Sequence, residues 1–303
     1  MFALSTAWNA DSAKDGRTIA EQIFRLGINK IELNFSLTKN MIREIFQFAK
    51  EHKIEITSLH NFCPIPGGLT PEQALPDYFS LASPNEDERK NAVLYTKETI
   101  ATAKKVSSRA VVLHSGRVDI EDKTRSLINL YNAGQKDSPA YKEMFENFLE
   151  ERKKECPAYR VQILKSLSTL ADYAQKQGII LGIENRFYYR EIPNIEEFDM
   201  ILEEFKDKPV FLWLDVGHNF IFEKLGFFEE GELLKAYGSK LAGVHLHNIK
   251  NLVDHQAPID GEFDFKILKP YLRPETIKVL EVHGQATADQ IKESLRYLSG
   301  VFS

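Results

Sequence analysis

Four acids stand where acids are costly. Glu32 in "IELNF", Glu184 in "GIENR", Asp215 in "LWLDVGH" and Glu281 in "LEVHG" each sit in or at the end of an apolar, β-rich run. Histidines collect in the same places. Of the eight (52, 60, 114, 218, 245, 247, 255 and 283), all but His52 lie at the end of such a run or just after it. An isolated carboxylate among apolar neighbours costs several kcal/mol in desolvation or gives up its charge. If these groups converge, a divalent cation holding them together is the simpler resolution. Glu184, Asp215, His245 and Glu281, taken together, are expected to form a metal site. Mixed carboxylate and imidazole donors suit Mn²⁺, Co²⁺, Mg²⁺ or Zn²⁺ without choosing among them. His60 and His114 fit equally as ligands or as hydrogen-bonding partners of ligands, and Glu32 as an outer partner or a substrate contact. His52 reads as ordinary helix-end surface.

These residues need elements to place them. Eight β-rich runs recur, at 2–7, 30–35, 55–61, 110–116, 180–186, 210–218, 241–248 and 277–284. Several are almost continuously apolar, as parallel strands covered by helices are. Amphipathic stretches alternate with them. One, at 17–27, ends at Gly27; another, at 161–178, ends at Gly178; a third, at 287–300, opens with Thr287 and Gln290 at capping-box spacing. Strand–helix alternation through eight units predicts a (β/α)₈ TIM barrel spanning 1–303 as a single domain. A doubly wound open sheet fits less well, because no Gly-rich dinucleotide loop follows the first strand.

Side chains alternate along a strand, so His245 shares a face with His247, and Glu281 with His283. His247 and His283 lie nearer the rim, where substrate or solvent is the expected contact; His218 is expected in the loop above Asp215. Two connections exceed ordinary length, the proline-rich 62–84 after the third strand and the polar 117–159 after the fourth. Both follow strand ends, the side on which barrels build active sites, and both are read as walls or lids. Arg117, Arg186 and Lys250 lie near strand ends and fit either a phosphate or carboxylate contact or a solvated rim.

The chain of 303 residues is 43% hydrophobic and carries a net charge of −5, with no basic run to suggest a nucleic-acid partner. Its two cysteines, Cys63 and Cys156, form no CxxC, which fits a reducing, cytoplasmic setting. No leader pattern opens the sequence, and no apolar run approaches the roughly 20 residues of a membrane span. A homo-oligomer is compatible with all of this.

"IEN", "DVGH", "HLHN", "DHQAPIDGEFDF" and "LEVHG" resemble motifs of the xylose isomerase-like TIM-barrel superfamily, and the resemblance runs over nearly the whole chain. That group includes sugar isomerases and epimerases and the endonuclease IV class. The resemblance implies that Glu184, Asp215, His245 and Glu281 hold the shared metal. In the epimerase branch Glu184 and Glu281 are also the proton-transfer pair, and His218 holds a substrate oxygen. His60, His255 and Glu32 are counted as further substrate contacts. In the endonuclease branch His60 and His114 would join Glu184 at one zinc, and His218 and His255 would help hold another. That branch has an aspartate two residues before the second histidine. Here the position is Val253, with Asp254 free to point elsewhere, which counts against a third zinc. The expected activity is isomerisation or epimerisation of a small sugar or sugar derivative, by proton transfer through a metal-stabilised enediolate. The alternatives are a zinc phosphodiesterase acting on abasic DNA and a non-catalytic sugar-binding barrel.

Overall fold

The computed structural model describes residues 2–303. Eight parallel strands close into a barrel: β1 (Ala3–Ser5), β2 (Lys30–Leu33), β3 (Glu55–His60), β4 (Ala110–Leu113), β5 (Ile180–Glu184), β6 (Val210–Asp215), β7 (Leu241–Leu246) and β10 (Ile277–Leu280). They follow one another around the ring in chain order, and β10 pairs back onto β1. All eight expected strands are present, each ending one to four residues short of its apolar run. Helices α1 (Gly16–Arg25), α2 (Lys39–His52), α3 (Glu86–Lys105), α4 (Thr124–Asn132), α5 (Pro139–Gln177), α6 (Ile195–Glu204), α7 (Val216–Leu225), α8 (Glu232–Tyr237) and α9 (Ala288–Phe302) account for most of the remainder.

Two features depart from a regular eightfold alternation. The stretch from β7 to β10 carries a hairpin, β8 (Asn248–Lys250) with β9 (Val253–Gln256), and a short 3₁₀ turn at Phe265–Leu268 in place of an α-helix. Pro258, Gly261, Pro270 and Pro274 punctuate that stretch and break helical continuity. The helix expected at 161–178 is the second half of the 39-residue α5, which runs through Pro157. Proline removes one helical hydrogen bond, yet buried Phe148, Arg152 and Cys156 precede it and Ile163 and Leu167 follow it, so packing carries the helix across. Gly178 ends it at φ +71°, whereas Gly300 lies within α9.

Most of the core lies between strands and helices. A smaller cluster fills the barrel itself: Ala3, Ala110, Val112, Trp213, Ile277 and Val279. The Trp213 ring fits only because β5 and β7 offer glycines beside it. A Cβ on Gly182 would lie 2.7 Å from the indole, and one on Gly243 2.2 Å from it. Trp213 thus floors the upper barrel, its ring centroid 5.3 Å from that of His245.

A buried ion pair ties α5 to α6, and the same arginine holds the loop before α6. Arg152 meets Glu197 at 2.7 Å and donates to the carbonyls of Tyr189 and Glu191 at 2.6 and 2.8 Å. Burial alone would raise the Glu197 pKa, but Arg152 outweighs it and holds the carboxyl below its ordinary value. Arg152→Met should cost on the order of 3 kcal/mol, the low end for breaking a buried pair, because Arg160 still reaches Glu197 at 2.6 Å. Since the folded pKa of Glu197 is depressed, this stabilisation is present above the unfolded value of about 4.3 and lost as pH falls through the folded one. Urea melts at pH 7 and pH 4 test this: the wild-type advantage over Arg152→Met should shrink at the lower pH.

Among the described residues, no helix is long and apolar enough to cross a membrane.

Candidate metal centre

Four consecutive strands, β5, β6, β7 and β10, each send one side chain to a common point at the C-terminal mouth. Glu184 and Asp215 are the last residues of β5 and β6, His245 is next to last in β7, and Glu281 directly follows β10. Their donor atoms lie within 4.8 Å of one another, and all four residues are buried. His245 Nδ1 is 2.7 Å from Glu184 Oε1, 2.9 Å from Glu281 Oε2 and 3.9 Å from Asp215 Oδ2.

The other ring nitrogen, Nε2, faces Glu32 at 3.1 and 3.2 Å, and Glu32 also accepts from Ser58 Oγ at 2.7 Å. A carboxylate behind the imidazole fixes the tautomer and turns the Nδ1 lone pair inward, as metal-binding histidines require. Glu32 is fully buried beneath the ring, so it does not reach the cavity and the substrate contact expected of it is not open to it.

Asp215 also caps α7. Its Oδ1 accepts the His218 backbone N–H at 2.8 Å, and Asn185 brackets its main chain through bonds of 2.7 and 2.9 Å. His218 therefore stands in the first turn of a helix, not in a loop. His247 is fully buried behind Asp215, with Nε2 2.9 Å from Oδ1, where a rim position was expected. It keeps the inward face it shares with His245, and β9 covers it: the His255 backbone N–H donates to His247 Nδ1 at 2.9 Å, and the two rings stack with centroids 4.2 Å apart. Gly217 makes room, since a Cβ there would lie 2.1 Å from the His247 ring.

Burial opposes every charge in this centre. Even so, Glu281, Glu32 and Glu184 push His245 well above the ordinary histidine pKa, and Asp215 raises His247 to about 9. Glu184 and Glu281 are held well below the ordinary carboxylate range, against their own burial, chiefly by His245. Four carboxylates thus surround a single imidazole. Two protonated rings neutralise only part of that charge, and the donor set fits a divalent cation.

Two further groups adjoin the centre. His60 Nε2 and His114 Nε2 lie 3.4 and 2.8 Å from Glu184 Oε2, and the three residues form a second potential metal-binding group. A third comprises His218, Asp254 and His255. Asp254 Oδ2 is 3.6 Å from His218 Nε2 and 3.7 Å from His255 Nε2, so Asp254 takes the place for which Val253 was unsuited. Each of these two histidines directs Nδ1 at a backbone carbonyl, Asn185 for His218 and Glu281 for His255, which leaves both Nε2 atoms facing Asp254. Burial, reinforced by His247, lowers His255 to about 4 and keeps it neutral.

Arg186 is neither solvated nor open to a ligand. It is 5% exposed and touches Glu184, Asp77 and Glu191 at 3.1–3.3 Å, and its Nη1 contacts His114 Nε2. Asp77 comes from the long 62–84 connection and also meets His114 Nδ1 at 3.0 Å. No sequence signal marks Asp77, which lies outside any periodic element. Lys250 and His283 are exposed, and the His283 ring stacks on His255 with centroids 3.9 Å apart.

A cavity of about 680 Å³ opens beside Glu281 and His283, bounded by Asn34, Ser36, Asp11 and Glu72. Among the described residues lining it there is no lysine or arginine.

Residues 20–300 match the family model described as xylose isomerase-like TIM barrel. The chain belongs to that family. Solved structures share the fold at low identity. A 3-keto-D-glucoside 4-epimerase from E. coli is 17% identical with a TM-score of 0.66, over 99% of this chain and 98% of the other. An L-ribulose 3-epimerase is 15% identical with a TM-score of 0.67, over 100% and 95%. A D-psicose 3-epimerase from Clostridium cellulolyticum H10 is 16% identical with a TM-score of 0.67, over 100% and 99%. No curated protein matches the chain in sequence.

Proposed function

We propose that this protein is a metal-dependent isomerase or epimerase of sugars or sugar derivatives. The observation that carries the reading is the arc of four strand-end donors with a glutamate at each end, Glu184 on β5 and Glu281 after β10. The similar structures named as sugar epimerases point the same way. So does the cavity, whose lining mixes polar and apolar side chains and, among the described residues, holds no lysine or arginine, which suits a neutral polyol better than a phosphate ester.

Glu184, Asp215, His245 and Glu281 would hold the ion, which would polarise a substrate carbonyl and acidify the neighbouring C–H. Glu281, at the cavity wall, takes the proton from that carbon. Glu184, on the opposite flank, returns one to the enediolate from its own side. A proton returned to the same carbon from the opposite face inverts it, whereas one delivered to the other enediolate carbon isomerises the sugar. His218 presents Nε2 to a substrate oxygen, with Nδ1 anchored on the Asn185 carbonyl. His60 and His255 are further candidates for the same task. The test is to incubate metal-loaded protein with a panel of ketoses, aldoses and their glycosides in D₂O. Deuterium entering a carbon next to a carbonyl supports the reading; no exchange across the panel removes it.

One observation favours a second reading, a zinc-dependent phosphodiesterase of the endonuclease IV kind. Asp254 completes a group with His218 and His255, so donors for more than one ion lie side by side. Incision of a duplex carrying an abasic site tests it directly. Against it stand the net charge of −5 and the absence of a cation from the described cavity lining.

A further inference from the structure

Glu184 divides its two oxygens between different surroundings. Oε1 faces His245 at 2.7 Å, on the side of the four-residue centre. Oε2 faces His114 at 2.8 Å, His60 at 3.4 Å and Arg186 Nη1 at 3.2 Å. Arg186 Nη1 also contacts His114 Nε2. The guanidinium therefore reaches the same two atoms, Glu184 Oε2 and His114 Nε2, that an ion in the His60–His114–Glu184 group would need.

We propose that Arg186 is a built-in cation that occupies this group and keeps a metal ion out of it. Arginine keeps its charge at any pH the protein meets. A divalent ion on the same carboxylate oxygen would sit against that charge in a buried site, where screening is weak. Arg186 is not free to swing away. Its Nη2 is held by Asp77 at 3.1 Å and Glu191 at 3.3 Å, and both of those carboxylates would be left without it. Asp77 in turn meets His114 Nδ1, so both ring nitrogens of that histidine are engaged by protein groups. The consequence is that His60 and His114 serve as positioning residues for Glu184 and as a polar wall. Glu184 remains available through Oε1 to the four-residue centre alone. The inference rests on the metal-centre reading above only for the ion on the Oε1 side. Its test is a difference in ion count, which does not depend on that ion.

Zinc content per chain, measured after loading with excess Zn²⁺ and desalting, provides that test. Wild type, His60→Ala and His114→Ala should carry the same number of ions. Arg186→Met should carry about one more than wild type. That extra ion should be absent from the Arg186→Met/His114→Ala double variant and from Arg186→Lys, which keeps the charge. A wild-type chain that loses one ion on His114→Ala or His60→Ala overturns the proposal, and that comparison stands even if Arg186→Met does not fold. A folded Arg186→Met with the wild-type count overturns it too. A wild type without zinc would instead remove the metal-centre reading, while an extra ion in Arg186→Met would still support the role given to Arg186.

Discussion

Glu281→Gln is expected to reduce turnover by about 10²- to 10⁴-fold, the range over which a positioned acid–base group contributes. Exchange of the substrate C–H with solvent should fall in step. The amide keeps an oxygen to meet a cation and nearly the same volume at the cavity wall, but cannot accept a proton. The variant therefore separates ligation from proton transfer. Metal content and melting temperature should stay near wild type while the exchange rate collapses. Retained exchange would remove Glu281 from the proton path, even if the metal centre survived. Glu184→Gln is a weaker test, because Glu184 also meets His60, His114 and Arg186, and losing its charge disturbs all three.

The second large effect concerns His245. His245→Ala removes the only imidazole among the four proposed ligands and leaves Glu32, Glu184, Asp215 and Glu281 facing one another across a buried gap. Metal affinity should drop by more than the 10- to 100-fold typical of losing an outer partner. Glu32→Gln, which alters only the group behind the ring, should fall within that smaller range. The sign with pH follows from the charges. In the metal-free protein the surrounding carboxylates hold His245 protonated well above the ordinary histidine range. An ion binding through Nδ1 must displace a proton, so affinity rises with pH until the raised pKa is passed. Titration calorimetry of the metal-free protein in two buffers of different ionisation enthalpy would count the protons released. None released at pH 7 would contradict the ligand role of His245.

The barrel strands were legible because parallel strands covered on both sides leave a strong mark. "AVVL", "ILGI" and "VFLWL" are apolar on both faces and stop at polar residues. What lay beyond the strand ends was less readable. The expected runs overshot because polar site residues such as His218 continue the chain smoothly out of β6, although Asp215 has already capped a helix there. His247 shares the inward face of His245 as alternation predicts, but its burial depends on the β8–β9 hairpin folding over it, which no local pattern announces. Pro157 hid the length of α5, since the packing that carries the helix through it is tertiary. The positions of Asp77, Arg186 and Asp254 depend on how loops fold over the mouth, and no local periodicity encodes that. Arg186 illustrates the point. Two residues after a strand-end glutamate it fits a solvated rim, and only Asp77, from a connection more than 100 residues earlier, together with Glu191, gives it a buried place.

The most direct test of the central claim is elemental analysis of protein purified without added metal or chelator, beside His245→Ala prepared in the same way. One divalent ion per wild-type chain is expected at the centre formed by Glu184, Asp215, His245 and Glu281, and that ion should be lost from the variant. A wild-type chain that carries no ion, or a variant that retains the full complement, would contradict it.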